Sequence, residues 1–357
     1  MKNTNKISIL NLEKPVLIAG PCSAETEIQV MQTAKQIAER FPNAIFRAGV
    51  WKPRTRPNAF EGVGEPALKW LQRAKEETGL PVSTEVATAE HVELALKYGV
   101  DLLWVGARST VNPFSVQEIA NALRGVDIPV LIKNPVHPDL QLWVGAVERI
   151  AGAGVKEIGL IHRGFHSPTT SAFRNKPTWE LAIEMKRQFP DLPMICDPSH
   201  ICGNTELIPL VAQKALDLDM SGLMLETHIH PDLAWSDAKQ QVTPEHLQQI
   251  IGNLKARTAE VADETGKNAL SELRENINKL DTDLLQMLSE RMQVARKIGE
   301  FKKNNGVTVL QVARWDEVLN TRISAGEMLG LGKDFVTRLY SLIHRESIDI
   351  QNQLMNS

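Results

Sequence analysis

Four residues of mixed donor chemistry stand at the ends of apolar, strand-like runs or in the loops that follow them. They are Cys22, His200, Glu226 and Asp237. Because thiolate is a soft ligand, a set of thiolate, imidazole and carboxylate suits Mn, Fe, Co or Zn better than Mg or Ca. The set predicts a divalent transition-metal site. His228 and His230 are rival ligands, because His228 shares a strand face with Glu226 and spacing does not choose between them.

A second group of residues at such positions is cationic. It comprises Arg47, Lys52, Arg54, Arg108, Lys133 and Arg163. Lys and Arg usually lie on solvated surfaces. Surface exposure alone does not explain why cations occur repeatedly at the ends of apolar strands. Recognition of phosphate and carboxylate groups explains the pattern better, and implies ligands with several negative charges. Pro53 and Pro57 are expected to stiffen the loop that carries Arg54, whereas Arg56 is interpreted as a rim charge.

Eight short apolar runs before about residue 230 must position these groups. The runs are PVLIAGPC, AIFRAGV, PVSTEV, LLWVGA, PVLIKN, EIGLIHR, PMICDPS and GLMLETH. Near-continuous apolar runs are typical of parallel strands covered on both faces, and eight in under roughly 250 residues predict a (β/α)8 TIM barrel. Chemistry in such barrels lies at the carboxyl ends of the strands, where both groups fall. A doubly wound open sheet is the alternative, which the lack of a GxGxxG or P-loop motif disfavours.

An all-α helical domain is predicted after the barrel. We assign residues 1–256 to the barrel, 257–268 to a polar linker and 269–357 to the helical domain. From 269, apolar residues recur at helical spacing as far as Asn305, and two more helices are expected at about 311–326 and 334–355. Three helices in roughly 90 residues make a thin core, so we expect a homodimer formed through them.

Several polar residues of the tail have spacings that suit anion binding. Arg291 and Lys302 are 11 residues apart, which places them within about 20° on one helix face. Arg274 points roughly 100° away from Arg291, which suits a pocket shared with a second subunit. Ser347 and Gln351 are i, i+4 neighbours on the last predicted helix.

Composition disfavours several classes of function. A formal charge of −3 with 43% apolar residues implies no nucleic-acid partner. No run of 18 or more apolar residues and no signal-type start are present, so we expect no membrane partner and a cytoplasmic location. The three cysteines, Cys22, Cys196 and Cys202, are too few and too irregular for a disulfide framework.

An ordered set of motifs resembles the short type I subfamily of 3-deoxy-D-arabino-heptulosonate 7-phosphate (DAHP) synthase over roughly residues 10–255. The motifs are GPCS at 20–23, KPRT at 52–55, GAR at 106–108, RG at 163–164, DPSH at 197–200 and SDAKQQ at 236–241. The resemblance implies condensation of phosphoenolpyruvate with erythrose 4-phosphate. The related octulosonate-phosphate synthase, which uses a five-carbon sugar, usually has Asn at the position of Pro53, so Pro53 favours the four-carbon sugar.

The resemblance also implies roles for the two groups of residues. Cys22, His200, Glu226 and Asp237 would hold the metal. Arg108, Lys133 and Arg163 would take the phosphate of phosphoenolpyruvate. Arg47 and Lys52 would face its carboxylate side, and Arg54 and Thr55 would take the phosphate of erythrose 4-phosphate. Lys52 would also protonate the developing alkoxide. A different phosphosugar-binding barrel without this chemistry remains an alternative.

The tail resembles the all-helical class of chorismate mutase from about 269 to 354. The match runs through LRENINKLDTDLLQMLSERMQVARKIGEFK and RLYSLIHRESIDIQNQL. It implies rearrangement of chorismate to prephenate, with active-site residues Arg274, Arg291, Lys302, Arg314, Ser347 and Gln351. Lys302 and Gln351 would stabilise charge on the ether oxygen, and Arg274 would act across an entwined dimer. Gln311 and Trp315 depart from the family, which often has acidic residues there, so a non-catalytic dimerisation or prephenate/chorismate-sensing tail is the alternative.

Overall fold

The computed structural model describes residues 8, 14–53, 60–168, 171–258, 260–261 and 263–356. The chain divides into two compact units, Met1–Ala259 and Glu260–Ser357. Two predicted ligands of the sugar phosphate, Arg54 and Thr55, lie outside the described residues, as does Arg56.

The first unit is a closed parallel barrel in its described part. Its strands are β1 Val16–Gly20, β2 Ile45–Arg47, β3 Val82–Val86, β4 Leu102–Val105, β5 Val130–Lys133, β6 Ile158–His162, β7 Met194–Cys196 and β8 Gly222–Glu226. Each strand pairs with the next in sequence, and β1 pairs with β8 to close the ring. The predicted (β/α)8 barrel is confirmed, and the alternative of a doubly wound open sheet is wrong.

Helices surround the strands. They are α1 Glu27–Arg40, α2 Glu65–Thr78, α3 Ala89–Lys97, α4 Ala107–Thr110, α5 Pro113–Ala122, α6 Leu140–Gly152, α7 Trp179–Gln188, α8 Pro198–Cys202, α9 Ile208–Asp217 and α10 Pro244–Asn253. Short polar side chains fix several helix starts, because they accept hydrogen bonds from otherwise unpaired amide groups. Asp139 accepts from the amide of Leu142, and Asp197 accepts from that of His200.

The interior of the barrel explains where the polar residues fall. An apolar cluster fills its centre, comprising Val16, Ile18, Ile45, Leu102, Trp104, Leu131, Ile161, Ile195 and Met224. Side chains alternate along a strand, so the residue two positions further on shares the inward face. For five strands the residue at that position, within the strand or directly after its end, is charged, namely Arg47, Lys133, Arg163, Asp197 and Glu226. A charged layer therefore lies directly above the apolar one at the carboxyl end of the barrel.

The second unit consists of three helices in its described part, α11 Glu264–Asn304, α12 Val312–Met328 and α13 Lys333–Met355. The helix α11 begins five residues before the predicted start at 269, because Asp263 caps it by accepting from the amide of Gly266. The helix α13 packs against both α11 and α12. Among the described residues, no helix is both long and apolar enough to cross a lipid bilayer.

The helical unit leaves much of its apolar surface uncovered. Leu273, Ile277, Leu280 and Leu284 on α11 are each more than half exposed. They follow one another at intervals of three or four residues, which places them on one face of α11. A single three-helix unit therefore does not bury the apolar stripe that its sequence encodes.

Candidate active sites

The carboxyl end of the barrel gathers most of the residues predicted to do chemistry. Arg47 is 1% exposed and its Nη2 donates to Oε1 of Glu226, which is fully buried, at 3.2 Å. The other carboxylate oxygen of Glu226 accepts from Gln240 at 2.6 Å. Burial would raise the pKa of Glu226, but His200, Arg47 and Lys52 outweigh it and lower that pKa below its ordinary value. Glu226 therefore stays an anion that is oriented from two sides.

A second buried ion pair joins Lys133 to Asp197. The Nζ of Lys133 lies 2.8 Å from Oδ2 of Asp197, and both side chains are at most 4% exposed. The same carboxylate oxygen lies 2.8 Å from Nδ1 of His200. Burial opposes ionisation, but His200 and Lys133 hold the pKa of Asp197 well below its ordinary value. Asp197 therefore fixes both a predicted phosphate ligand and a predicted metal ligand.

Cys22 and Asp237 approach each other from opposite ends of the barrel sequence. The Cys22 Sγ is 3.3 Å from Oδ2 of Asp237, and the Nζ of Lys52 lies 2.9 Å from the same sulfur. Burial, followed by the charge of Glu226, raises the pKa of Cys22 to about 12. Asp237 has a left-handed backbone with φ of 47°, a strained conformation typical of functional loops. It is held there by Arg174, whose Nη1 is 2.8 Å from Oδ1 of Asp237.

The four predicted metal ligands thus stand in two pairs. One pair is Cys22 with Asp237, and the other is His200 with Glu226, in which Nε2 of the imidazole is 3.6 Å from Oε1 of the carboxylate. In the described part of the chain, no three His, Cys, Asp or Glu side chains already form a ligand cluster. The donor set nevertheless fits a divalent transition metal. The Oδ2 of Asp197 lies 2.8 Å from Nδ1 of His200, and a carboxylate on that side of a metal-binding imidazole leaves Nε2 to face the metal. The rival ligand His228 lies 3.6 Å from Glu25 instead, and His230 is exposed.

The other predicted phosphate ligands that the structure describes, Arg108 and Arg163, lie at the mouth of the barrel. Arg163 donates through Nη1 to Asn175 at 2.8 Å, and its amide donates to Asn134 at 2.7 Å. Burial, partly offset by Asp197, lowers the pKa of Arg163 to about 10, so the guanidinium stays charged. A cavity of about 60 Å³ at this end is lined by Lys52, Pro53, Glu85, Arg108, Arg163, Arg174, His200 and Asp237. Four of these eight residues are cationic, which suits an anionic ligand.

The sequence reading missed several residues of this site. Asp197 and Glu85 are inward-facing acids within apolar runs, and that contrast was the available signal. Glu85 also explains Gly106, because a Cβ at that position would lie 2.1 Å from Oε1 of Glu85. Arg174 and Gln240 carry no comparable signal, since they lie on loops that only the folded barrel brings together.

The helical unit has a separate cavity of about 360 Å³. Its lining includes the predicted residues Arg291, Lys302, Arg314, Ser347 and Gln351. The Nη1 of Arg291 donates to the Ser347 hydroxyl at 2.7 Å, and Lys302 donates to the carbonyl of Val309 at 2.6 Å. Burial lowers the pKa of Lys302. The amide oxygen of Gln351 is buried without a hydrogen-bond partner among the described residues.

Gln311 and Trp315, the two departures noted in the sequence, also line this cavity. Trp315 stacks on His344, with ring centroids 3.9 Å apart. Arg274 is exposed on α11 and is not among the cavity-lining residues of the described chain. One copy of the helical unit therefore brings five of the six predicted residues to one cavity and leaves Arg274 outside it.

Fold and sites define a (β/α)8 barrel with a cationic cavity at the carboxyl end of its strands, and a helical unit with a second cationic cavity. The chain belongs to the DAHP synthetase I family, whose family model matches residues 1–263, and residues 273–352 match chorismate mutase type II. It is thus an enzyme of aromatic biosynthesis with a transferase domain and an isomerase domain.

Individual relatives agree with the match of the barrel. A phospho-2-dehydro-3-deoxyheptonate aldolase of Thermotoga maritima is 31% identical over 240 residues, which cover 67% of this chain and 68% of that protein. A 2-dehydro-3-deoxyphosphooctonate aldolase of Vesicomyosocius okutanii is 27% identical over 256 residues, covering 67% and 89%. The crystal structure of a Thermotoga maritima DAHP synthase has a TM-score of 0.60 at 29% identity and covers 66% of this chain and 67% of its own.

Proposed function

We propose that the barrel condenses phosphoenolpyruvate with erythrose 4-phosphate to give DAHP and phosphate. One observation carries the proposal: inward-facing cations stand beside a thiol, imidazole and carboxylate donor set at the carboxyl end of the barrel. Arg108, Lys133 and Arg163 bind the phosphate of phosphoenolpyruvate, and Arg47 and Lys52 its carboxylate. Arg54 and Thr55 bind the phosphate of the sugar.

Residues of the chain then orient and protonate the reactants. The cations hold the vinyl carbon of phosphoenolpyruvate against the aldehyde carbon, and a carbon–carbon bond forms between them. Lys52 delivers a proton to the aldehyde oxygen, water adds at the carbon that bears the phosphate, and phosphate leaves. The proposal includes a divalent ion, Mn, Fe, Co or Zn, held by Cys22, His200, Glu226 and Asp237. When bound, such an ion polarises the aldehyde as a Lewis acid.

A side-by-side assay with two sugar phosphates tests both the condensation reaction and the identity of the sugar substrate. Phosphoenolpyruvate consumption is measured with erythrose 4-phosphate and with arabinose 5-phosphate, each in the presence of added Mn, Fe, Co or Zn. We expect the four-carbon sugar to be preferred at least about tenfold in kcat/KM, which is about 1.4 kcal/mol of transition-state discrimination. Preference for the five-carbon sugar would reject the assignment of erythrose 4-phosphate, and no consumption with either sugar would reject the condensation.

We propose that the helical unit rearranges chorismate to prephenate. The carrying observation is a cavity lined by three cations, Arg291, Lys302 and Arg314, and by no carboxylate of the described chain. Such a cavity suits a small dicarboxylate. The reaction is intramolecular, so the cavity has to hold a reactive conformer and stabilise negative charge on the ether oxygen, for which Lys302 and Gln351 are the donors.

Neutralising one lysine tests this assignment in the full-length chain. Lys302→Gln should lower chorismate turnover about 100-fold or more, since it removes a donor to the developing charge. Lys303→Gln is the matched control, because Lys303 is exposed and donates to the carbonyl of Leu354. Equal turnover in both variants would reject the role of Lys302. A wild type that binds prephenate without turning over chorismate would support the sensing alternative.

We also propose a homodimer and a cytoplasmic location for the protein. The exposed apolar stripe of α11, formed by Leu273, Ile277, Leu280 and Leu284, supports a homodimer through the helical unit in which Arg274 reaches the partner's cavity. Sedimentation of the wild type beside Leu280→Glu tests it, and equal mass for both would count against this surface. A cytoplasmic location is also proposed, and the three free cysteines favour it.

A further inference from the structure

Trp104 is a fully buried tryptophan at the centre of the barrel. It lies on β4, in register with Glu85 on one neighbouring strand and Leu131 on the other. Within the apolar run LLWVGA it reads as an ordinary core residue. Its neighbours in the folded barrel are not ordinary, because the charged layer begins directly above it.

Two predicted ligands of phosphoenolpyruvate lie within cation–π distance of this indole ring. The guanidinium carbon of Arg47 lies 4.9 Å from the ring centroid, and the Nζ of Lys133 lies 5.8 Å from it. Both distances fall within the range of an attractive cation–π contact. The ring is fixed in turn, since its Nε1 donates to Oε2 of Glu85 at 3.0 Å.

The contact with Trp104 helps to explain how the buried charge of Arg47 is stabilised, which its ion pair alone does not. Arg47 has one carboxylate partner, Glu226, and its Nε and Nη1 atoms are buried without a hydrogen-bond partner in the described part of the chain. Burying such groups without compensation is unfavourable. An aromatic face stabilises the cation while carrying no net charge, whereas another carboxylate would repel a phosphate or carboxylate ligand. The ring therefore keeps two cations in place and available to an anion.

We infer that Trp104 is a positioning residue for the barrel reaction, which holds Arg47 and Lys133 toward the bound phosphoenolpyruvate. The inference rests on the proposed binding of phosphoenolpyruvate at these cations. It assigns the indole ring the role of a support beneath the ligand and the indole N–H the role of locking that ring through Glu85.

Three full-length variants separate this role from simple core filling. Trp104→Phe keeps an aromatic ring beside the cations, and Trp104→Leu removes it. Trp104→Met is a second non-aromatic variant of similar volume to leucine, whose flexible side chain adapts to irregular gaps in the core. We expect Trp104→Leu and Trp104→Met to raise the KM for phosphoenolpyruvate about tenfold, about 1.4 kcal/mol of binding. The KM for the sugar phosphate should change by less than about twofold, and Trp104→Phe should stay within about threefold of wild type.

A measurement without turnover makes the outcome independent of the reaction. Phosphoenolpyruvate is titrated alone, by calorimetry, into wild type and each variant, with thermal unfolding recorded alongside. Weaker binding in the leucine and methionine variants but not in the phenylalanine variant supports the inference. Equal affinity in all folded variants overturns it, and so does equal weakening in all three. If the leucine variant does not fold, the methionine variant decides. If the wild type itself does not bind phosphoenolpyruvate, the proposed function fails instead.

Discussion

Trp315 and His344 stack almost parallel in the cavity of the helical unit, with planes inclined by 12° and centroids 3.9 Å apart. Burial, followed by the charges of Arg291 and Lys302, lowers the pKa of His344 below its ordinary value. The imidazole is therefore neutral at neutral pH, and the cavity has an uncharged aromatic wall beside its cations. Trp315, one of the two stacked rings, stands at a position where the chorismate mutase family often has a carboxylate.

Removing the aromatic ring of Trp315 should weaken binding of chorismate, the proposed dicarboxylate substrate. Trp315→Ala removes an aromatic surface of the cavity, and an aromatic contact with the ligand worth about 0.5–1.5 kcal/mol corresponds to a rise in KM for chorismate of roughly 2- to 12-fold. Trp315→Phe keeps a ring on His344 and should stay near wild type. Steady-state chorismate turnover measures both. A lower KM in the alanine variant would show that the wall obstructs the ligand.

Chelation should separate the two activities of the chain. Removing divalent ions with EDTA should abolish phosphoenolpyruvate consumption and leave chorismate turnover unchanged, because the second reaction needs only oriented donors. Added Mn, Fe, Co or Zn should restore the first activity. Cys22→Ser, assayed by equilibrium dialysis, should bind Zn²⁺ more weakly than wild type, since a soft donor is lost. Full condensation activity in EDTA would contradict the proposed metal site.

Breaking the buried pair of Lys133 and Asp197 should destabilise the barrel strongly. Asp197→Asn leaves Lys133, which is 3% exposed, without its carboxylate, and such uncompensated charges cost about 3–5 kcal/mol. Asp217→Asn is the surface control, because Asp217 pairs with the exposed Arg257 and should change stability by about 1 kcal/mol at most. Denaturant unfolding followed by tryptophan fluorescence compares the two. Similar losses in both variants would argue against a charged pair at Lys133.

Acidification should destabilise the barrel through His162, which is enclosed by Trp143, Phe165 and Trp179. Burial, followed by the charge of Arg163, lowers the pKa of His162 to about 3. Between an unfolded value of about 6.5 and that folded value, the unfolded chain binds more protons, so stability is lost as pH falls. From pH 6.5 to 4.5 this amounts to roughly 2–3 kcal/mol.

The variant His162→Phe keeps a ring in the cage and removes the titrating group. Its free energy of unfolding should therefore depend less steeply on pH than that of wild type when both are compared at pH 7.5, 5.5 and 4.5. Identical slopes for the two proteins would show that His162 is protonated as readily in the folded barrel as in the unfolded chain.

A glycine controls how closely two helices of the second unit approach. A Cβ at Gly299 would lie 3.0 Å from both Gln351 Cγ and Leu354 Cδ1, so Gly299→Ala should push α13 away and cost about 1–3 kcal/mol. Chorismate turnover should fall with it, because Gln351 would move. Gly252→Ala in α10 meets nothing within 4 Å and should stabilise by up to about 1 kcal/mol. Stabilisation by both substitutions would show that the α11–α13 contact is loose.

The sequence by itself determined the architecture of this protein, because that architecture depends on local pattern. Eight apolar runs marked the strands, and the change to helical spacing after 269 marked the second unit. Alternation along a strand also explains why Lys133 and Arg163 face the barrel interior at the carboxyl end. The start of α11 was placed five residues late, since the capping role of Asp263 was overlooked in a polar stretch.

Only the tertiary structure decided which of these residues meet. Arg47 and Glu226 are 179 positions apart and Cys22 and Asp237 are 215 apart, and closure of the barrel brings each pair into contact. Pairing over such separations depends on strand register and barrel closure, which no local pattern encodes. For the same reason the sequence did not indicate the role of Trp104. Its ring lies beside Arg47 and Lys133 only because β2, β3, β4 and β5 are adjacent in the closed barrel.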